Sequence, residues 1–512
     1  MVAKTYGSAV FGVDARTIAV EVNVGQGKGL HISGLVDMAV KESMHRVESA
    51  LKGLGYQIPR NKVVVNLAPA DIRKEGSAYD VPIALSILAA SQQEEFMELD
   101  RYVIMGELSL DGRVRPIRGA LPIAIESGAK KFKGLILPDE NAREAAIVHG
   151  IDVLGVKTLR EAIDFLTGSR KITPLHLDAN ALFEDQAGEY PMDFKDVQGQ
   201  ENIKRAFEIA AAGGHNVIMI GPPGAGKTML ARSLPGILPP LSLSEALETT
   251  KIHSVAGKLG SHDTMLTTRP YRNPHHTISD VALCGGGHSP QPGEISLAHN
   301  GVLFLDELPE FKRSVLEVMR QPMEERKITI SRSKFSIDYP ANFMLVASMN
   351  PCPCGFYNHP EKECVCGAGV VQRYLGKVSG PLLDRIDLHV EVVPVGFDEM
   401  VARRKSQTSM EIRARVVFAR QAQSERFRSS GNIHCNAMMP ANLAKEICVI
   451  SESGKKLLKA AMERLGLSAR AYDRILKVSR TIADLAGTED IRLEHLAEAI
   501  QYRSLDREGW AG

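Results

Sequence analysis

The run Gly221-Pro222-Pro223-Gly224-Ala225-Gly226-Lys227-Thr228 is a complete Gly-x-x-x-x-Gly-Lys-Thr pattern, preceded by the apolar residues Val217–Ile220 and followed by a helical run. Glycines at this spacing let backbone N–H groups turn inward around phosphates, and the helix that follows adds its positive end. Lys227 then reaches the β- and γ-phosphates, and Thr228 offers a hydroxyl to Mg²⁺. Val302-Leu-Phe-Leu-Asp306-Glu307 supplies the second half: a buried strand with two carboxylates at the end where open α/β sheets bind ligands. Asp306 is placed to hold the Mg²⁺ and Glu307 to polarise the attacking water. A further strand, Phe343–Ser348, leads to Asn350, an amide suited to orienting that water or contacting the γ-phosphate. The chemistry expected is Mg²⁺-dependent hydrolysis of ATP.

A second constellation is Cys352-Pro-Cys354-Gly and Cys364-Val-Cys366, four of the seven cysteines in one short stretch. Gly355, Asn358, His359 and Pro360 favour a loop between the pairs. Seven cysteines are too few for a disulfide framework, and in a reducing compartment soft thiolates suit Zn²⁺ in a closed tetrahedral Cys₄ site. His359 could replace one of the thiols. Four protein ligands leave no open position for water, so the role expected of the metal is structural.

These side chains need elements to carry them. A chain of 512 residues carries a prior of about three domains, and 44% apolar with 24% charged residues is enough for several buried cores. Lys plus Arg (62) against Asp plus Glu (61) leaves +1, which excludes a whole-chain attraction for polyanions; nucleic acid must be met by a local patch. The absence of a run of about 18 apolar residues excludes an ordinary transmembrane helix. The opening Met1-Val-Ala-Lys-Thr-Tyr-Gly lacks the apolar stretch of a secretion signal, so the chain is expected in the cytoplasm, with no membrane partner.

Periodicity predicts strands at Ile18–Val24, Val63–Leu67, Tyr102–Gly106 and Gly134–Leu137, alternating with helices such as Ser43–Leu54 and Val81–Ala90, an α+β arrangement. It fails over Lys171–Met192, an acidic, loop-like stretch. A helix over Gln200–Ala212 ends at Gly213-Gly214. Strands and helices alternate to about Val395, and from Phe397 the pattern is helical. Ile475, Val478, Ile482 and Leu485 fall on one face, expected to be core. The overall class is α/β: an α+β domain over 1–170, a linker over 171–192, a P-loop α/β domain over 193–395 and a helical lid over 396–512.

Longer motifs accompany these residues. Arg269-Pro-Tyr-Arg-Asn-Pro-His-His-Thr-Ile-Ser279, Pro292-Gly-Glu-Ile-Ser-Leu-Ala-His-Asn-Gly-Val-Leu-Phe-Leu-Asp-Glu307, Leu316-Glu-Val-Met-Arg-Gln-Pro-Met-Glu-Glu325 and Gly380-Pro-Leu-Leu-Asp-Arg-Ile-Asp387 resemble the magnesium-chelatase-like branch of the AAA+ ATPases. With its N-terminal portion, nearly the whole chain resembles the ComM/YifB family of that branch. The resemblance implies a hexameric DNA helicase that promotes branch migration on single-stranded and branched DNA during natural transformation, working beside recombination proteins. Under it Asn350 matches sensor 1, Arg385 the arginine finger acting on a neighbour's nucleotide, and Arg470 sensor 2 at the head of a lid helix. DNA contacts are expected from pore-facing loops. One is a hairpin over Arg326–Tyr339 with Arg332 and Lys334 at its basic turn; the other is the insert carrying Arg269, Arg272, His275 and His276. Basic tips of this kind track phosphates without reading bases.

Residues 1 to about 170 resemble the domain shared by Lon protease and RadA, through Gly112-Arg-Val-Arg-Pro-Ile-Arg-Gly119 and Leu137-Pro-Asp-Glu-Asn141. Lon pairs a serine nucleophile with a lysine. Here Leu121 stands at the lysine position, leaving Ser77 an ordinary hydroxyl and the domain non-proteolytic. Two readings other than a DNA motor follow from the resemblance: a chelatase-type ATPase remodelling a protein partner for metal insertion, which shares the nucleotide site, and an ATP-dependent protease, which Leu121 argues against.

Overall fold

In the computed structural model, residues 2–503 are described apart from 186–189, 191, 261–262, 288–289, 333–334, 358, 360, 395–405 and 432. The N-terminal part is a seven-stranded mixed sheet of β1 (Val2–Phe11), β2 (Asp14–Gly25), β3 (Leu30–Ser33), β4 (Lys62–Ala68), β5 (Tyr102–Ile104), β6 (Gly134–Pro138) and β7 (Asp152–Val156), in the order β3-β4-β2-β1-β5-β6-β7. Helices α1 (Met38–Gly53), α2 (Asp80–Ala90) and α3 (Ala120–Ala129) cover it, as the alternating and 3.6-residue patterns predict. β1, β2 and β4 pair antiparallel, and β1, β5, β6 and β7 pair parallel.

The central part is an all-parallel five-stranded sheet of β8 (Val217–Ile220), β9 (Tyr271–Arg272), β10 (Val302–Leu305), β13 (Met344–Met349) and β14 (Leu388–Glu391), in the order β9-β10-β13-β8-β14. Between β10 and β13 the chain forms an antiparallel hairpin, β11 (Lys327–Arg332) and β12 (Phe335–Pro340), paired from Lys327↔Pro340 to Arg332↔Phe335. The inner strands β8 and β10 are wholly apolar, and β13 nearly so, because both faces are covered. Val217, Met219, Val302 and Phe304 face one core with α4 (Glu201–Gly213), whereas Ile218, Ile220, Leu303 and Leu305 face a second core.

The helical C-terminal part, α7 (Ser409–Arg426), α8 (Glu452–Leu465), α9 (Ala469–Leu485) and α10 (Leu493–Gln501), packs into that first core. Ile475, Val478 and Ile482 are buried there, and Leu485 is partly buried against it. None of the described helices is long and apolar enough to cross a membrane.

The loop-like stretch is not all loop. Ala179–Asp185 is a short helix whose Ala179 joins Leu121 and Ile147 in an apolar cluster with Leu241, Ala246 and Met265, with Leu182 and Phe183 against it. The acidic residues masked the few apolar contacts that hold it. Helix α3 meets α6 (Leu243–Val255) at the same place, where Gly119 N–H donates to Ser254 O (3.2 Å) and Lys251 pairs with Asp14 (2.6 Å). The middle of the hairpin also reaches the turn between β1 and β2: a Cβ on Gly12 would lie 3.0 Å from Cγ2 of Ile337, which pairs with Ile330.

Candidate functional site

The loop between β8 and α5 (Lys227–Ser233) turns on Gly224 and Gly226, both left-handed with φ of 80° and 85°, a conformation that side chains resist. It sets Lys227 at the first position of α5. The Lys227 ammonium donates to Gly221 O (2.6 Å), Pro222 O (2.9 Å) and Asn350 Oδ1 (3.0 Å). Burial lowers its pKa, against the pull of Asp306 and Glu307. Thr228 Oγ1 donates to Asp306 Oδ2 (2.9 Å). Three strand ends, those of β8, β10 and β13, thus place the ammonium, hydroxyl, carboxylate and amide beside one another, because parallel pairing brings Ile220 level with Met349 and Leu305 level with Ala347.

Sequence reasoning missed Ser348. Its hydroxyl donates to Asp306 Oδ1 and accepts from Glu307 N–H (3.4 Å), holding both acids in place. The signal was its position two residues before Asn350 on an otherwise apolar strand. Glu307 itself is left-handed, with φ 55°, strain of a kind that gathers at functional sites. Its carboxylate is exposed and lies 3.7 Å from His276 Nδ1.

The insert residues go elsewhere than expected. Arg269 is nearly buried, and its guanidinium donates to Pro239 O (2.6 Å), Asn300 O (2.7 Å) and Pro240 O (3.1 Å) and pairs with Glu245 (3.2 Å). Arg272 makes a two-pronged pair with Glu294 (2.6 and 2.7 Å). Both guanidiniums are engaged within the fold, so neither stands free for phosphate. His276 stacks on His275, with centroids 4.1 Å apart, beside Glu307, and His275 Nδ1 bonds Thr277 Oγ1 (2.9 Å). A count of basic residues could not disclose these partners. Arg332 closes β11 at the hairpin turn, and Lys334 lies outside the described residues.

Arg385 is buried. Its Nη1 donates to Pro381 O (2.6 Å), its Nη2 pairs with Glu324 (2.8 Å), and its Nε has no hydrogen-bond partner. Neither partner belongs to the loop of Lys227. Arg470, in the first turn of α9, is exposed, 3.9 Å from Asp384. One turn on, Arg474 donates to Asp387 Oδ1 (2.9 Å), while Asp387 Oδ2 accepts from Asn216 N–H (2.8 Å). Burial pushes Asp387 up, but Arg474, His215 and that N–H outweigh it and hold the carboxyl below the usual range. This pair of a buried carboxylate and a partly buried guanidinium, also missed, ties α9 to the start of β14.

The four thiols converge. Cys352 Sγ lies 3.3 Å from Cys354 Sγ and 3.7 Å from Cys364 Sγ, the last two are 3.6 Å apart, and all four ligand atoms fall within 4.8 Å of one another. A tetrahedral shell with Zn–S of about 2.3 Å has edges of about 3.8 Å, so the cluster can hold a metal. All seven cysteines are free. His359 is not among the four: its Nδ1 accepts from Glu361 and Lys362 N–H (3.0 and 3.1 Å).

In the N-terminal part, Ser77 Oγ donates to Glu107 on the wall of a cavity of about 500 Å³ that Tyr79, Arg118 and, from the ATPase side, Gln291 and Ile337 also line. Leu121 is fully buried in the apolar cluster of α3 and α6.

Profiles of three families match the chain: "Magnesium chelatase, subunit ChlI" over residues 193–400, "Subunit ChlI of Mg-chelatase" over 20–141 and "Magnesium chelatase, subunit ChlI C-terminal" over 406–503. The chain is 44% identical to competence protein ComM of Haemophilus influenzae, over 98% of this chain and 97% of that one. It is 42% identical to the uncharacterized protein YifB of Salmonella typhimurium and to that of Escherichia coli, over 98% of this chain and 96% of each.

Proposed function

The chain belongs to the ComM/YifB family of magnesium-chelatase-like AAA+ proteins, and on that premise we propose that it is an ATP-driven hexameric DNA motor that promotes branch migration. The single observation carrying the ATPase is the joining of Lys227, Asn350, Thr228 and Asp306 at one end of the parallel sheet. In this reading, residues 221–228 hold the phosphates, and Thr228 and Asp306 hold Mg²⁺. Glu307 activates water, Asn350 orients it, Arg385 acts on the nucleotide of an adjoining copy, and Arg470 serves as sensor 2 at the head of the lid helix. A ring is what this role of Arg385 calls for: it lies away from its own phosphate loop, and to reach a neighbour's nucleotide it must exchange its bonds to Pro381 and Glu324.

The family implies ATP and Mg²⁺ generally; the finer assignment is a structural Zn²⁺ on Cys352, Cys354, Cys364 and Cys366. The competence name of the relative and the hairpin bearing Arg332 and Lys334 support DNA as the track, with the work done in the cytoplasm. Arg269 and Arg272 serve the fold instead. The test is hydrolysis with and without single-stranded and four-way-branched DNA, together with strand separation. Stimulation and unwinding are expected. A rate indifferent to DNA, without unwinding, would overturn the motor and favour the chelatase-type reading, in which the same site remodels a protein partner.

A further inference from the structure

The turn that carries the first two cysteines also forms a wall of the phosphate loop. Gly355 N–H donates to Cys352 O (3.0 Å), closing a tight turn directly after Asn350 and Pro351. Gly355 is left-handed, with φ 84°, and it faces Pro223; a Cβ built on it would collide with the pyrrolidine Cδ. Gly221, Pro222, Pro351, Gly355 and Tyr357 line one small cavity between the two loops. Thus the stretch from Asn350 to Gly355 touches the nucleotide loop twice, once through Asn350 on Lys227 and once through Gly355 on Pro223.

The thiol cluster would hold that turn from its far side. Cys352 is fully buried and Cys354 is two residues on, while their partners Cys364 and Cys366 come from the far side of the loop. Closing that loop costs chain entropy, which thiols in mere contact do not offset and metal bonds do. A phosphate loop binds well only if its N–H groups already point inward, so a rigid neighbour on Pro223 lowers the ordering cost of binding.

We propose that Zn²⁺ on the four thiolates is a buttress of the nucleotide loop, coupling metal occupancy to ATP affinity through the Gly355–Pro223 contact. This rests on the Cys₄ reading above, and the experiment separates the two. Coupling between two ligands is reciprocal: if zinc strengthens ATP binding, ATP must retain zinc by the same factor.

Three measurements on the full chain decide it. Elemental analysis gives zinc per chain, titration with a fluorescent ATP analogue and Mg²⁺ gives affinity, and transfer of zinc to a chromogenic chelator is timed with and without saturating ATP. The wild type is expected to carry about one zinc and to release it more slowly with ATP present. Gly355→Ala is expected to keep its zinc yet bind the analogue at least about fivefold more weakly. Gly367→Ala, where a Cβ meets nothing within 4 Å, is expected to match the wild type in both. Protein purified free of zinc but binding the analogue normally would overturn the metal reading. Zinc present with wild-type binding in Gly355→Ala, or a release rate indifferent to ATP, would overturn the buttress and leave the metal site standing. Neither arm depends on Cys→Ser variants folding.

Discussion

The nucleotide site and the cleft around Ser77 share a motif: a hydroxyl donating to a carboxylate, Thr228 to Asp306 in one and Ser77 to Glu107 in the other. Around Thr228 the parallel sheet adds a lysine ammonium from one strand end and an amide from another, within 3.0 Å of each other. Around Ser77 no base completes the pair. Glu107 has Arg115 at 3.6 Å, and the position where a lysine would activate the serine holds Leu121, packed among apolar side chains. What separates the two in the structure is that the fold brings a cation, Lys227, and an amide, Asn350, to the end of the sheet that carries Thr228 and Asp306, and no such pair to Ser77 among the described residues.

The contrast is sharpest in turnover. Lys227→Ala and Arg385→Ala should each cut ATP hydrolysis by about 10³-fold or more, as loss of phosphate-bound cations does elsewhere. Mixing the two variants should restore part of the rate where an intact loop faces an intact Arg385. Full hydrolysis by an Arg385→Ala protein, or by a demonstrated monomer, would break the reading.

Glu307→Gln comes next, lowering turnover by about 10²–10⁴-fold while nucleotide binding persists. A wild-type rate in phosphate release would move the water-activating role off Glu307.

A smaller effect tests the scaffold. Asp387→Asn leaves the partly buried Arg474 beside a neutral amide and should destabilise the chain by about 1–3 kcal/mol, read by denaturant unfolding. Because the folded carboxyl titrates below its unfolded value of about 3.9, the unfolded chain takes up the proton first. The stabilisation is complete above that value and drains as pH falls below it, so the two proteins should converge in acid. A constant difference across that window would remove Asp387 as its source.

Ser77→Ala should do least, leaving hydrolysis within about twofold. A collapse of hydrolysis on that change would erase the distinction between the two sites.

Legibility in the sequence follows the same division. The phosphate loop could be read because eight consecutive residues carry it, and Asp306 and Asn350 because apolar runs point to them. The inner strands of the central sheet followed from the same apolar runs, and the hairpin from alternation. Ser348, His276 and Asp387 could not be read, since their partners lie 42, 31 and 87 residues away and meet only through strand register and helix packing. The internal partners of Arg269 and Arg272 were hidden for a related reason. A guanidinium bonded to carbonyls and one free for phosphate look alike in a sequence, and only the fold shows that Pro239, Pro240 and Asn300 offer their oxygens.

The seat of Ile337 on Gly12 has a mechanical meaning. The hairpin is a short cantilever propped at mid-span by the turn between β1 and β2, with Tyr339, nearer its root, fixed to Pro290 O (2.8 Å). A load on its tip is then borne by a seven-stranded slab rather than absorbed by a yielding loop. A prop at mid-span shortens the free length of the arm, so its tip deflects less under a given load.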